Sequence, residues 1–166
     1  MSGPRKKEKS LKDLLPADVL FQPLKATTKE SAIGELLNAL VIQGAADLAR
    51  EGALLEAFLE REKVASTGIG NGLAIPHIKS KFADKMTVGV GTSEVGIDFG
   101  AHDGEPARII IMWICAPAET QAHLALMRGL AAMGREAKNI GALTKARDRR
   151  AFLAAAEAIS VEPKTK

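Results

Sequence analysis

The chain has 166 residues, 46% of them hydrophobic, 26% charged and 4% aromatic, with no tyrosine and a formal net charge of +3. That length suits about one domain, able to bury an aliphatic core without disulfide or metal staples. The single cysteine, Cys115, excludes an internal disulfide framework, and no CxxC or Cys/His ligand spacing supports a structural zinc knuckle, so a reducing compartment is expected.

No stretch approaches the roughly 18–20 apolar residues that cross a bilayer, and the N-terminus lacks the apolar run of a signal peptide. The expectation is a cytoplasmic protein with no membrane insertion. A sequence pI near 9.1 raises the question of nucleic acid. The basic residues, however, crowd the two ends: Arg5, Lys6, Lys7, Lys9 and Lys12 at one, Arg147, Arg149 and Arg150 at the other. Neither group is interleaved with aromatics that stack on bases, so both read as solvated ends and no nucleic-acid partner is expected.

Residues 1–12 have almost nothing to bury and read as a flexible or loosely helical arm. Val19, Leu20 and Phe21 before Pro23 suggest a short strand, after which the hydroxyls around Thr27, Thr28 and Ser31 cap a helix. That helix carries Ile33, Leu36, Leu37, Leu40 and Val41 at helical spacing and ends at Gly44. Leu54, Leu55, Phe58 and Leu59 share one face of a second helix running toward Arg61-Glu62-Lys63.

Then the period changes. Met86 to Gly91 alternates as a strand, Gly96 to Phe99 is a shorter separate strand, and Ala101 to Pro106 has turn chemistry. Ile109 to Cys115 is an almost continuous apolar run, as in a central strand covered on both faces. A helix from Glu119 to Ala137 and a last one near Arg149–Ile159 complete the chain. Helices before and after a run of strands predict an α/β sandwich in a single domain. Its boundaries are set at a basic N-terminal arm over 1–13, a folded domain over 14–160 and a tail over 161–166.

Between the second helix and the first long strand lies Ser66-Thr67-Gly68-Ile69-Gly70-Asn71-Gly72-Leu73-Ala74-Ile75-Pro76-His77. Glycines at 68, 70 and 72 permit positive φ and can turn successive N–H groups toward an anion. Neither a Walker loop nor a dinucleotide fingerprint is present, since no Gly-Lys-Ser/Thr follows and the glycines lie after a helix and lead into a strand. Pro76 restrains the backbone before His77 and displays that side chain. A displayed neutral imidazole above an anion cradle is suited to accept a phosphoryl group and release it, with Arg61 as a candidate charge stabiliser. A purely structural histidine is the alternative that these residues leave open.

Taken together, Arg61-Glu62, the Ser66 to Gly72 loop, Ala74-Ile75-Pro76-His77, Ile97-Asp98-Phe99 and His123-Leu124 resemble the enzyme IIA domain of the fructose–mannitol class in the bacterial phosphotransferase system, including its nitrogen-regulatory branch. The likeness spans roughly residues 14–160. It implies a mixed sheet of about five strands flanked by helices and a phosphoryl group carried on His77. By the same match His123 is the second active-site histidine and Arg61 the active-site arginine. Ser66, Thr67, Gly68, Gly70, Asn71 and Gly72 are the expected phosphate-binding loop. The implied donor is an HPr-type phosphocarrier protein, and the implied acceptor is an enzyme IIB cysteine or, in the regulatory branch, a target protein that reads the phosphorylation state. No cofactor is implied, neither nucleotide nor metal.

Ile78 departs from the glycine common after the active histidine in that family, and as a residue beside the site it bears on partner choice. His102, next to Asp103 and Gly104, reads as a solvated turn residue. A zinc site built from His77, His102 and His123 lacks any short ligand spacing. Cys115 reads as a small buried hydrophobe, not a nucleophile.

Overall fold

The computed structural model describes residues 3–4 and 6–164. Arg5, part of the basic N-terminal run, and the last two residues of the expected tail lie outside it. Among the described residues there are six α-helices and six strands. In chain order they are α1 (Leu11–Leu14), β1 (Leu20–Pro23), α2 (Lys29–Ile42), α3 (Glu51–Val64), β2 (Gly68–Gly70), β3 (Leu73–Ala74), β4 (His77–Lys79), β5 (Thr87–Ile97), β6 (Ala107–Cys115), α4 (Thr120–Gly134), α5 (Ala137–Thr144) and α6 (Arg149–Glu157).

The architecture follows from β6. Its two faces are both apolar, and alternation sends Ile109, Ile111, Trp113 and Cys115 into one core and Ile110, Met112 and Ile114 into the other. Helices α1, α4, α5 and α6 cover the first face, and α2 and α3 cover the second. Strand β5 runs antiparallel along one edge of β6, and β1 continues the sheet in parallel with β5. On the other edge β3 and β4 both pair with β6 in parallel, at one common register, Leu73 opposite Ile109 and His77 opposite Trp113. They form a single lane interrupted at Ile75-Pro76, with β2 outside it, so six strands occupy the expected five positions of a mixed sheet.

Local chemistry explains the ends of these elements. Thr28 and Ser31 form a reciprocal capping box at the start of α2, each side chain accepting from the other's N–H at 3.2 Å. Gly44, with φ +81°, follows the last turn. Asp148 caps α6 through the Ala151 N–H at 2.8 Å.

Four local expectations need correcting. Gly96–Phe99 is not a separate strand, because β5 runs on to Ile97 through a register shift after Thr92. The helix expected over 119–137 breaks at Arg135-Glu136, and a further helix, α5, buries Ile140 and Leu143. The N-terminal residues do have something to bury: Leu11 is fully buried, and Ser10 bridges to Ser160. Near the other end Val161 is buried and its N–H donates to the Lys9 carbonyl at 3.0 Å, so the segments around Ser10 and Ser160 pair with each other.

Because Leu11 is held between α4 and α6, Leu11→Ala should lower unfolding stability by about 2–5 kcal/mol in urea titration. A change below about 0.5 kcal/mol, typical of an exposed site, would put residue 11 back in a loose arm.

Candidate functional site

The glycine-rich segment is a β-hairpin and not an open cradle. Gly70 pairs with Leu73, and the two residues between them, Asn71 and Gly72, have φ of +54° and +86°, the sign that a type I′ turn requires. The other glycines permit close approach: a Cβ on Gly68 would stand 3.0 Å from the Phe99 Cβ, and one on Gly70 would stand 3.0 Å from an Asp103 carboxylate oxygen. The Asn71 N–H donates to Asp103 at 2.8 Å, and the Asn71 side-chain amide donates to the Gly134 carbonyl at 2.9 Å.

Gly70, Asn71 and Gly72 therefore sit at the hairpin tip, beside an anion. The tip meets β6 near Ile109, four residues from the Trp113 that pairs with His77. Among the expected phosphate-binding residues, these three are not brought to His77. Ser66 and Thr67 lie at the hairpin's other end, where the Ile75 N–H donates to the Thr67 carbonyl at 2.9 Å. The Ser66 hydroxyl donates to the Phe99 carbonyl and accepts from the Gly68 N–H at 3.0 Å. The Thr67 hydroxyl donates to the buried carboxylate of Glu62, and Lys29 Nζ stands 3.6 Å from the same carboxylate. Glu62 thus ties the end of α3 to the root of the hairpin.

The hairpin delivers the chain through Ile75-Pro76 to His77. Pro76 offers no N–H but its carbonyl accepts from the Trp113 N–H at 3.1 Å, which holds the interruption against β6. His77 is half-buried, and its Nδ1 lies 2.7 Å from the Ile75 carbonyl oxygen. A carbonyl only accepts, so Nδ1 carries the proton and Nε2 holds the free lone pair.

His77 stacks on Trp113 with ring centroids 4.6 Å apart and an interplanar angle of 11°. His123, on the first turn of α4, comes to 5.4 Å from His77, centroid to centroid. The two histidines, 46 positions apart in sequence, thus meet on one face of the sheet. Arg61 donates to the Ala65 carbonyl at 2.9 Å at the C-terminal end of α3, and its charge is felt at His77.

Burial lowers the His77 pKa below its ordinary value. The Ile75 hydrogen bond opposes this, and the neighbouring His123 and Arg61 lower it further. His123 is lowered by burial and by the nearby cation of Lys79. Both rings are therefore held as neutral imidazoles near neutral pH, the form in which a ring nitrogen is a nucleophile.

Two residues of this neighbourhood escaped sequence reasoning. Trp113 was legible only as a core residue, and its link to His77 is a matter of strand register. Lys79, two positions after His77 on β4, shares its face, a signal that strand alternation carries. Ile78 points the other way. It is buried against the α2–α3 core, so the departure at that position faces the interior and not an approaching partner. His102 is exposed in its turn, and Cys115 is buried. Among the described residues no helix is long and apolar enough to cross a membrane.

Comparison with known proteins shows the family and the fold. Residues 13–158 match the family model of the phosphoenolpyruvate-dependent sugar phosphotransferase system, EIIA 2. The fructose-specific EIIA component of Haloferax volcanii is 38% identical over 117 residues, covering 70% of this chain and 75% of that protein. A nitrogen regulatory protein of Bradyrhizobium diazoefficiens is 29% identical over 141 residues, covering 84% of this chain and 90% of that protein. The nitrogen regulatory protein IIA-Ntr of Neisseria meningitidis shares the fold, with a TM-score of 0.75 at 22% identity over 87% of this chain and 97% of its own. The chain belongs to the EIIA type-2 family of the phosphoenolpyruvate-dependent sugar phosphotransferase system.

Proposed function

We propose that the protein is a cytoplasmic phosphoryl carrier in which His77 Nε2 takes a phosphoryl group from a phosphorylated HPr-type protein and passes it to an enzyme IIB cysteine. The observation that carries this reading is the Nδ1 hydrogen bond to the Ile75 carbonyl, which leaves Nε2 of a neutral ring as the free nucleophile. In the first step the Nε2 lone pair forms an N–P bond while the bond from phosphorus to the donor breaks, its electron pair leaving with the donor. In the second step a IIB thiolate forms the S–P bond and the N–P pair returns to Nε2. No proton, nucleotide or metal ion has to enter either displacement.

Phosphoryl transfer of this kind depends mostly on positioning and charge stabilisation. Arg61 and the Nε2–H of His123 supply a cation and a donor beside His77. The root of the hairpin, Ser66 and Thr67, holds the histidine-bearing strand through Phe99 and Glu62. A second reading is supported by the similarity to a nitrogen regulatory protein over 84% of the chain. In it the same phosphorylation is a switch: about −1.5 to −2 units of charge appear at His77 and change the docking of a regulatory target.

Incubation with phosphoenolpyruvate, enzyme I and HPr should add about 80 Da, lost on acidification, to the wild type and nothing to His77→Ala, as read by intact mass under mildly alkaline conditions. Equal gain in both proteins would remove His77 from the role. Transfer of the group onto an isolated IIB domain separates carrier from switch.

Because both pKa values are lowered on folding, the unfolded chain binds more protons than the native one between its ordinary histidine pKa, about 6.5, and the lower native values. Stability should therefore fall as pH drops through that window. The His77 and His123 ring protons should titrate with midpoints below about 6.5 by NMR. Midpoints above it would contradict the buried, neutral site.

A further inference from the structure

Trp113 is the chain's single tryptophan and is fully buried. It pairs with His77 across β4 and β6, and its indole covers one face of the His77 ring. Its Nε1–H also reaches Nδ1 of His123, at 2.9 Å. An indole N–H is only a donor, so Nδ1 of His123 must accept, and the single proton of that neutral ring lies on Nε2. His77 is in the opposite state, with its proton on Nδ1 facing the Ile75 carbonyl. Two chemically equal imidazoles, 5.4 Å apart, are thereby made unequal. One offers a free lone pair and the other offers none.

We infer that Trp113 selects the nucleophile of the pair: by occupying the Nδ1 lone pair of His123 it bars that ring from phosphorylation and holds it as an Nε2–H donor beside the group on His77. This rests on the reading of His77 as phosphoryl acceptor. Trp113 is a positioning residue, since it acts through the two histidines. During transfer the N–P bond forms at His77 Nε2, the donor bond breaks with its electron pair going to the donor, and His123 keeps its proton throughout. The stack on His77 is separable from the bond to His123, because phenylalanine keeps an aromatic face and removes the N–H.

The first readout needs no variant and no phosphodonor. Long-range 1H–15N correlation above both histidine midpoints should show His123 as the pure Nε2–H tautomer, and an Nδ1–H tautomer there would overturn the inference. In Trp113→Phe the His123 tautomers should mix, and phosphorylation of His77 should slow about tenfold, the scale of one lost hydrogen bond. The double variant Trp113→Phe/His77→Ala should gain a phosphoryl group on His123, whereas His77→Ala alone gains none. An unchanged tautomer and rate in Trp113→Phe, with its amide spectrum still dispersed, would reject the role. Failure of the wild type to be charged at all would instead reject the carrier reading, while the tautomer result still stands on its own.

Discussion

At Ile75-Pro76 the lane that pairs with β6 is interrupted, and the carbonyl of Ile75 turns back to accept a hydrogen bond from His77 at 2.7 Å. Because that oxygen cannot donate, one short bond sets the tautomer of the ring and with it the nitrogen that can react. Much of the surrounding structure serves this geometry. The hairpin of β2 and β3 brings the chain to Ile75, the Glu62 carboxylate anchors the root of that hairpin through Thr67, and β6 fixes His77 opposite Trp113. The glycines are needed for the hairpin's tight approach to the 99–103 segment.

Electrostatics completes the arrangement. Burial keeps both imidazoles neutral, while Arg61 and Lys79 place positive charge near them. A neutral nucleophile flanked by cations favours an incoming phosphoryl group over its absence, and the same cations would hold the dianion once formed. Glu62, next to Arg61 in sequence, accepts from Thr67 and pairs with Lys29, and its charge opposes, without overcoming, the lowering of the His77 pKa by burial.

The layers of the fold were legible because β6 is an almost continuous apolar run and α2 carries its burial at helical spacing. The rest was hidden for physical reasons. Helix α1 is only four residues long, too short for a pattern, and its Leu11 finds its core between elements more than a hundred residues away. Helix α5 is an eight-residue segment after a break that only a single glycine, Gly134, precedes. The Asn71-Gly72 pair is a strong hairpin signal, but the Asp103 carboxylate that lies against the tip comes from 32 positions further along the chain, a contact no local pattern displays. Of the candidate site, His77, His123 and Arg61 stand in motif residues that the sequence displays. The inward direction of Ile78 and the double contact of Trp113 depend on strand register, which the sequence does not display.

The most direct test is to identify the phosphorylated nitrogen. In 15N-labelled protein charged through phosphoenolpyruvate, enzyme I and HPr, long-range 1H–15N correlation should show phosphorus on Nε2 of His77 with Nδ1 still protonated against the Ile75 carbonyl. Phosphorus on Nδ1 of His77 would require that bond to break, and phosphorus on His123 would require either the Trp113 bond to break or Nε2 of His123 to give up its proton; either result would contradict the account.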